Sequence, residues 1–245
     1  MGNKYNYDFY ATRDCDTKYA ADKVLDILAN YIDISSAIDV GGGVGTWLKT
    51  IQEKFECPAE NLLLLEGDYL QKKLLQIDEK SYIAQNLEER IKIEQRYDLA
   101  ITLEVAEHLT KQRAETFCED LTLLSNVVLF AAAVPFQGGV GHINEQPLSY
   151  WTRLFLRYGY EAFDIIRPQI QMEQEISLWY RQNIIVYVKK DCPEYEKIMS
   201  KIKYLPPLDM VSYELYLSKA KFCQQVQSML IYKIYRDIRK IFKRK

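Results

Sequence analysis

The sequence predicts an α/β protein with a largely parallel sheet and helices on both faces. Two observations predict this fold. Short apolar segments alternate with helical patterns along most of the 245 residues, and these segments are continuous apolar runs, as expected of strands buried on both faces. An apolar content of 48% and a charged content of 27% are typical of a globular protein, and the chain is long enough to bury one full core.

The first elements form one β-α-β unit. Residues 17–34 carry apolar side chains at helical spacing, and SSAIDVGGG then places a short strand directly before glycines. TWLKTIQEKF follows as a helix, and NLLLLEGD is a compact apolar run that stops at acidic residues. We therefore expect two neighbouring parallel strands with a helix between them.

The same alternation continues to about residue 190. The predicted elements are a helix over 69–77, a strand over 81–84, a strand in YDLAITLEVAEHL, a strand in NVVLFAAAVPF, a helix in SYWTRLFLRYGY, and two final strands in EAFDIIRPQ and RQNIIVYVKK. Prolines 206 and 207 mark a loosened region, after which residues 213–245 have a helical pattern. We predict one main domain over 1–203 and a basic helical tail over 204–245.

Two interpretations of the tail stay open. Its apolar positions form a stripe and its end IYRDIRKIFKRK is strongly basic, which suits a weak contact with a membrane surface or a partner. Alternatively, the stripe packs on the protein's own sheet and the basic residues are solvated.

Net charge and cysteine spacing indicate which partners to expect and in which cellular compartment the protein lies. The net charge of −2 gives no domain-wide positive field for a phosphate backbone, so we expect no nucleic-acid partner. Five cysteines stand far apart without a CxxC pair, which favours reduced thiols. The sequence has neither a long apolar stretch nor a signal-peptide pattern, so we expect a cytoplasmic protein, at most peripheral to a membrane. A homo-oligomer is compatible with this composition.

The most informative segment is the glycine loop after the first strand. Glycine allows a sharp turn and a close approach of backbone to a ligand, since it has no Cβ. Gly41 and Gly43 fit the first two positions of the dinucleotide pattern GxGxxG, but Thr46 occupies the third. The pattern DxGxGxG is satisfied throughout by Asp39, Gly41, Gly43 and Gly45. Thr46 in place of the third glycine argues against a nucleotide-binding oxidoreductase, which is the hypothesis from another class.

On these residues the chain resembles the class I S-adenosylmethionine-dependent methyltransferases, and the resemblance covers residues 17–190. It implies a Rossmann-like, seven-stranded sheet with an antiparallel last strand, and S-adenosylmethionine as cofactor. The resemblance also implies site roles: Asp39 and the loop glycines hold the donor, and Glu66 accepts hydrogen bonds from the ribose. Asn86, where the family usually has Asp, and Leu87 border the adenine, while Leu103 and Glu104 border the methionine part.

The two histidines of the sequence are the candidate catalytic residues. His108, with Glu107, is expected to cap the helix after the fourth strand, and His142 lies in the glycine-rich loop PFQGGVGHINEQPLSYW. Methyl transfer needs alignment and a deprotonated acceptor, so His142 is the first choice for a general base and His108 the second. The alternative for each is a structural side chain bonded to backbone. No carboxylate or histidine cluster has ligand spacing, so we predict no metal.

Three loops are candidates for binding a small-molecule acceptor. The His142 loop also displays Asn144 and Glu145. Tyr180 and Arg181 lie between the last two strands and suit a sugar or a phosphate, although simple packing is equally compatible. Tyr10 and Arg13 belong to a tyrosine-rich N-terminal segment, for which a lid and an ordinary packed arm both stay open.

The segments GHINEQPLSYW and WYRQN suggest the kind of acceptor. They are similar to those of bacterial methyltransferases found alongside sugar and surface-polysaccharide biosynthesis, which implies O-methylation of a glycan or an activated precursor. Methylation of another small molecule, such as a quinone or a natural-product phenol, is the competing interpretation. A subunit that binds S-adenosylmethionine without catalysis is a third.

Overall fold

The structure is a computed structural model that describes residues 7–202 and 208–242, with side chains from residue 16 onward except at 230, 231, 237 and 240–242. The chain divides into two units, with the boundary between Asp209 and Met210. The first unit contains the sheet, and the second consists of helices. The domain boundary predicted from the sequence, between residues 203 and 204, lies outside the described residues.

The described residues of the first unit form one seven-stranded sheet. Its strands are β1 (Ala37–Val40), β2 (Leu62–Glu66), β3 (Tyr82–Ala84), β4 (Leu99–Leu103), β5 (Val127–Ala131), β6 (Tyr160–Phe163) and β7 (Ile185–Lys189). Their order is β3-β2-β1-β4-β5-β7-β6. The pairings among β1 to β5 are parallel, whereas β7 is antiparallel to both β5 and β6. The Rossmann-like sheet with an antiparallel last strand is therefore confirmed.

Helices connect and cover these strands. The first unit contains α1 (Tyr7–Leu28), α2 (Thr46–Lys54), α3 (Lys111–Leu124), α4 (Leu148–Leu156), α5 (Arg167–Ile170), α6 (Leu178–Asn183) and α7 (Pro193–Met199). The second unit contains α8 (Tyr213–Ser228) and α9 (Leu230–Phe242). Helix α2 begins at the end of the glycine loop, as the sequence predicts for a helix that follows a ligand-binding turn.

The core explains why the strands are continuous apolar runs. Strands β1 and β5 are buried along their whole length, because helices cover both faces of the central sheet. On one side, Phe155 of α4 stacks on Tyr187 of β7 at 4.0 Å between ring centroids, and Phe130 of β5 contacts both rings. This packing holds the antiparallel strand beside β5.

Two local predictions are wrong. Residues 69–77 form turns and a short 3-10 segment (Lys72–Leu74) instead of a helix. The main chain here serves a tertiary contact, since Gln76 N donates to Val44 O at 2.9 Å. Glu107 and His108 do not cap α3, because they lie in a 3-10 turn over residues 106–108 and Thr110 is the N-cap.

The second unit also departs from one predicted continuous helix. A break at Met229, which has extended backbone, separates α8 from α9. Among its apolar side chains, Ile234 and Ile238 are about half exposed. The basic residues 243–245 lie outside the described residues. Within the described part of the chain, no helix combines the length and the hydropathy needed to cross a membrane.

Candidate functional site

A cleft of about 1150 Å³ opens at the carboxyl ends of the parallel strands. Its walls are built by the segments that follow β1, β2, β3, β4 and β5, together with residues of α1 and α6. In an open α/β sheet this edge is where ligands bind, because the loops there diverge around a crevice. The fold therefore collects residues from distant parts of the sequence around one cavity.

The glycine loop forms one wall of the cleft with a backbone that favours glycine. Gly41, Gly43 and Gly45 have φ values of 82°, 59° and 86°, in the left-handed region. A Cβ on Gly41 would lie 2.5 Å from Val105 Cγ2. Gly41 and Gly43 line the cleft, whereas Gly45 lies outside its lining, and a Cβ there would meet Ile77 at 3.2 Å. The first two glycines thus permit backbone contact with a ligand, and the third fits the start of α2.

Glu66 closes β2 and already accepts several hydrogen bonds. Its Oε2 accepts from Gly43 N at 2.8 Å, and its Oε1 accepts from Gly67 N at 2.9 Å and from the Tyr69 hydroxyl. A carboxylate has about four acceptor positions. Three of these are taken, so one position remains for a ribose hydroxyl, and a second hydroxyl would have to share or displace the Tyr69 contact.

Asp39 brings a second acidic side chain to the bottom of the glycine loop. Only 2% of the residue is exposed, and its Oδ2 has no hydrogen-bond partner among the described residues. Burial raises the pKa of Asp39 well above its usual range, and the nearby charge of Glu66 raises it further. A cleft floored by two carboxyl groups favours a ligand that carries positive charge.

The segment after β3 contributes Asn86 and Leu87, which both line the cleft. Asn86 Oδ1 accepts from Glu88 N at 3.1 Å, so the side chain also shapes its own turn. Arg113 of α3 donates from Nε to Leu87 O at 2.8 Å and pairs with the buried carboxylate of Asp120. A buried ion pair thus fixes the segment predicted to border the adenine.

Leu103 and Glu104 line the cleft at the end of β4. Glu104 has a φ of 56°, unusual for a residue with a side chain and often found at functional sites. Its carboxylate accepts from Asn183 Nδ2 at 2.8 Å and from Gln137 Nε2 at 2.9 Å. Burial raises the pKa of Glu104, although these two hydrogen bonds act in the opposite direction.

The structure brings the two histidines together in the cleft. Their ring centroids lie 4.8 Å apart in an edge-to-face arrangement. His142 Nδ1 lies 2.9 Å from Glu145 Oε1, and His108 Nδ1 lies 3.2 Å from Gly141 O. Burial lowers the pKa of His108, the nearby His142 lowers it further, and the contact with Gly141 opposes both effects.

Glu107 shares this end of the cleft with the histidines. Its side chain is fully buried, and its Oε1 lies 3.9 Å from His142 Nε2. Burial raises the pKa of Glu107 to about 9, with a further contribution from the charge of Glu104. The sequence shows no metal-ligand spacing here, yet the fold places one ligand atom of each of Glu107, His108 and His142 within 4.8 Å of one another.

Two residues of the His142 loop lie behind the lining of the cleft. Glu145 accepts from Phe136 N at 2.8 Å and from Gly138 N at 2.7 Å, in addition to its contact with His142. Asn144 is 3% exposed, and its Oδ1 accepts from Gln146 Nε2. The structure thus gives both residues loop-forming contacts and does not bring them to the lining, where the sequence predicted that they would bind substrate.

The loop between the last two strands is helical, and its two predicted site residues diverge. Tyr180 lines the cleft with its ring edge-on to Trp47, and burial raises the pKa of its hydroxyl to about 12. Arg181 is outside the lining and donates to the main-chain oxygens of Ile176 and Gln171. Its guanidinium therefore stabilises the turn before α6.

The remaining predicted residues, Tyr10 and Arg13, have side chains outside the described part of the structure. The backbone of residues 7–15 is the beginning of α1, and Asp16 and Thr17 of the same helix line the cleft. Reasoning from the sequence missed Tyr69 and Gln137 as cleft residues. Tyr69 follows Glu66 by three positions, which is a local signal, whereas the contact of Gln137 with Glu104 spans 33 residues.

Comparison with solved structures finds related folds at low sequence identity. DesVI of Streptomyces venezuelae aligns over 75% of this chain and 96% of its own, with 13% identity and a TM-score of 0.55. Magnesium protoporphyrin IX methyltransferase from Synechocystis, solved with bound SAH, aligns over 74% of this chain and 88% of its own, with 15% identity and a TM-score of 0.49.

Human N-acetylserotonin methyltransferase in complex with SAM aligns over 77% of this chain and 60% of its own, with 13% identity and a TM-score of 0.47. Searches with family models and among curated proteins give no match. The likeness to DesVI shows a shared fold, and the fold class expected from the sequence is confirmed by it.

Proposed function

We propose that the protein is an S-adenosylmethionine-dependent methyltransferase that acts on a small molecule. One observation carries the proposal: the glycine loop, Glu66, the Asn86 segment and Glu104 line one cleft together with both histidines. Single-ligand pockets measure about 300–1000 Å³. The cleft, at about 1150 Å³, lies just above that range, which supports a donor with a small acceptor beside it.

The residues present fit the donor. Gly41 and Gly43 line the cleft without a side chain, so a ligand can approach their backbone closely. The unpartnered Oδ2 of Asp39 and the charge of Glu66 favour the cationic donor. When bound, the donor supplies a methyl group on a positively charged sulfur.

We propose that the acceptor is a sugar or an activated sugar precursor, methylated on oxygen. The cleft supports this choice because Trp179 and Tyr180 of α6 offer aromatic surface, while Gln137 and the histidines offer polar groups. A quinone or phenol acceptor is the competing outcome, and a subunit that binds the donor without turnover is another.

At the histidine end of the cleft, a histidine would act as the general base that removes the proton of the acceptor. The contact with Glu145 accounts for Nδ1 of His142, and Nε2 is then the nitrogen that can take a proton or bind a metal. His108 is the second candidate for the base. The two roles exclude each other at the same nitrogen, so turnover with and without a chelator distinguishes them.

The direct test is a calorimetric titration of the full chain with S-adenosylmethionine. We expect binding by the wild type and none by Gly43→Val, because Gly43 lines the cleft and a bulkier residue there alters the backbone that a ligand would approach. Gly159→Val is the matched control: Gly159 also has a positive φ of 80°, but a Cβ there meets nothing within 4 Å and lies outside the cleft. Absence of binding by the wild type would refute the proposal.

The acceptor is tested by S-adenosylhomocysteine formation across a panel of nucleotide sugars, free glycans, quinones and phenols. Turnover restricted to the sugars supports a glycan precursor. Turnover on phenols alone retains the methyltransferase and replaces its acceptor. Donor binding without turnover on any compound favours the non-catalytic subunit.

A further inference from the structure

We propose that Glu107, His108 and His142 form a binding site for a divalent transition-metal ion at the histidine end of the cleft. One ligand atom of each residue lies within 4.8 Å of the others. All three residues line the same cavity, so an ion held by them would be reachable by a ligand in the cleft.

The state of Glu107 is the observation that points to a cation. Its side chain is fully buried, and neither carboxylate oxygen has a hydrogen-bond partner among the described residues. The closest basic atom is His142 Nε2 at 3.9 Å from Oε1, which is too long for a hydrogen bond. A buried carboxylate is costly unless it is paired or coordinates a metal. An ion bound at this position would displace the proton of the buried Glu107 carboxyl and compensate the charge that results.

Each of the two histidines has a hydrogen-bond partner at Nδ1, as metal-bound histidines commonly have at one ring nitrogen. A main-chain carbonyl can only accept, so the 3.2 Å contact with Gly141 O places the proton of His108 on Nδ1. The 2.9 Å contact with Glu145 Oε1 does the same for His142. In each ring the lone pair is then on Nε2. Metal-bound histidines typically donate their other nitrogen to a carboxylate or a carbonyl in this way.

The ligand set selects the kind of ion. Imidazole nitrogens suit zinc, iron, nickel or cobalt better than magnesium or calcium, which prefer oxygen ligands. Nitrogen and oxygen ligands lie about 2.0–2.2 Å from such an ion. Ligand atoms up to 4.8 Å apart would thus move inward by a short side-chain adjustment on loading. Three protein ligands leave coordination positions open.

An open coordination position next to the acceptor would let the ion bind and activate the acceptor hydroxyl. This role rests on the methyltransferase function proposed above. A hydroxyl oxygen bound to the ion loses its proton more easily, and the proton leaves to solvent. The oxygen then forms a bond to the methyl carbon while the carbon–sulfur bond breaks, and sulfur keeps that electron pair. In this arrangement His142 is a ligand instead of a general base.

The test measures metal binding without any donor. The full chain is prepared without an affinity tag and treated with a chelator, and it carries Cys223→Ser because Cys223 is an exposed thiol that could bind metal itself. Titration with Co²⁺ should give visible absorption bands that saturate at one ion per chain, and Zn²⁺ should displace them. Mg²⁺ in excess should leave them in place.

Variants assign the site to its residues. We expect Glu107→Gln and His142→Gln each to weaken Co²⁺ binding by at least about 10-fold, and Glu145→Gln, which removes a positioning residue, to weaken it by about 10-fold or more. Glu115→Gln is the matched control, because Glu115 pairs with Arg157 on the surface away from the cleft. If Glu107→Gln fails to fold, the double variant His108→Gln and His142→Gln replaces it.

Two results would overturn the inference. One is a wild type that shows no cobalt bands, which would leave Glu107 as a neutral carboxyl beside Glu104. The other is unchanged affinity in the ligand variants. Donor titrations in the presence of chelator run in parallel, so failure of the metal site and failure of donor binding are separate outcomes.

Discussion

Asn183 donates a 2.8 Å hydrogen bond to Glu104 across 79 residues of chain. The same amide nitrogen lies 2.9 Å from Gln137 Oε1, and Gln137 in turn donates to the other carboxylate oxygen of Glu104. Asn183 is completely buried. This closed network joins the ends of β4 and α6 to the loop after β5, and it fixes the Glu104 side chain at the cleft.

Replacing Asn183 should therefore destabilise the fold. Asn183→Leu has a similar volume but removes the donor to Glu104 Oε1 and to Gln137 Oε1, so we expect the free energy of unfolding to fall by about 1–3 kcal/mol. Urea unfolding measures the change. Asn30→Leu is the control, because the side chain of Asn30 donates to exposed main-chain oxygens of its own helix end. Equal stability of the two variants would show that the network contributes nothing.

Removal of the Tyr69 hydroxyl should increase donor affinity. Three of the roughly four acceptor positions of Glu66 are taken by Gly43 N, Gly67 N and this hydroxyl. Tyr69→Phe frees one of them for a ligand hydroxyl, so we expect S-adenosylmethionine to bind about 2–10-fold more tightly, the equivalent of one modest hydrogen bond. Calorimetry measures it. Tyr82→Phe, which loses a bond to Gly67 O, should leave the affinity unchanged.

Neutralising Asp39 should stabilise the protein at neutral pH and weaken donor binding. Burial, assisted by Glu66, raises the pKa of Asp39 in the folded state above its unfolded value, which is about 3.9. The folded state therefore binds this proton more tightly. Its contribution to stability is fully present below the unfolded pKa and is lost as the pH rises through the folded pKa.

Urea unfolding of wild type and Asp39→Asn at pH 4 and pH 8 tests this sign. The advantage of Asp39→Asn should be larger at pH 8 than at pH 4. If the difference in unfolding free energy between Asp39→Asn and the wild type were larger at pH 4 than at pH 8, the folded state would instead stabilise the carboxylate. Calorimetry at pH 8 should show weaker binding of the cationic donor by the variant, because an asparagine cannot ionise to pair with the positive charge of the donor.

Arg113 should affect donor binding although it does not line the cleft. Its guanidinium joins Asp120 to the main-chain oxygens of Leu87 and Glu89. Arg113→Lys keeps the charge but loses the forked geometry, so we expect stability to fall by about 1–3 kcal/mol and the donor to bind less tightly. Arg157→Lys, at an exposed pair with Glu115, should change stability by less than about 0.5 kcal/mol.

The sequence predicts the sheet well because buried parallel strands carry their own signal. The runs around Leu64 and Leu129 are continuous and apolar, and both are strands. The helix expected over 69–77 fails for a physical reason. Its leucines have helical spacing, but the segment makes a main-chain bond to Val44 that a regular helix would not leave available.

The candidate site also contains features that the sequence predicts and features that it does not. The glycine loop and Glu66 are local patterns, and the structure places them at the cleft. The meeting of Glu107 with His142 depends on how the loop after β5 folds back over β4. Ile143 N and Asn144 N both donate to Glu107 O, and no sequence spacing specifies that contact.

The carboxylate of Glu145 contacts both the main chain of the glycine-rich loop and the imidazole ring of His142. This carboxylate accepts hydrogen bonds from Phe136 N and Gly138 N, and its Oε1 also contacts His142 Nδ1. The ring also lies where a Cβ on Gly139 would clash at 2.2 Å. A molecule that displaces residues 136–139 must therefore also rotate the imidazole of His142. Binding at this loop and the direction in which His142 Nε2 points are thus coupled.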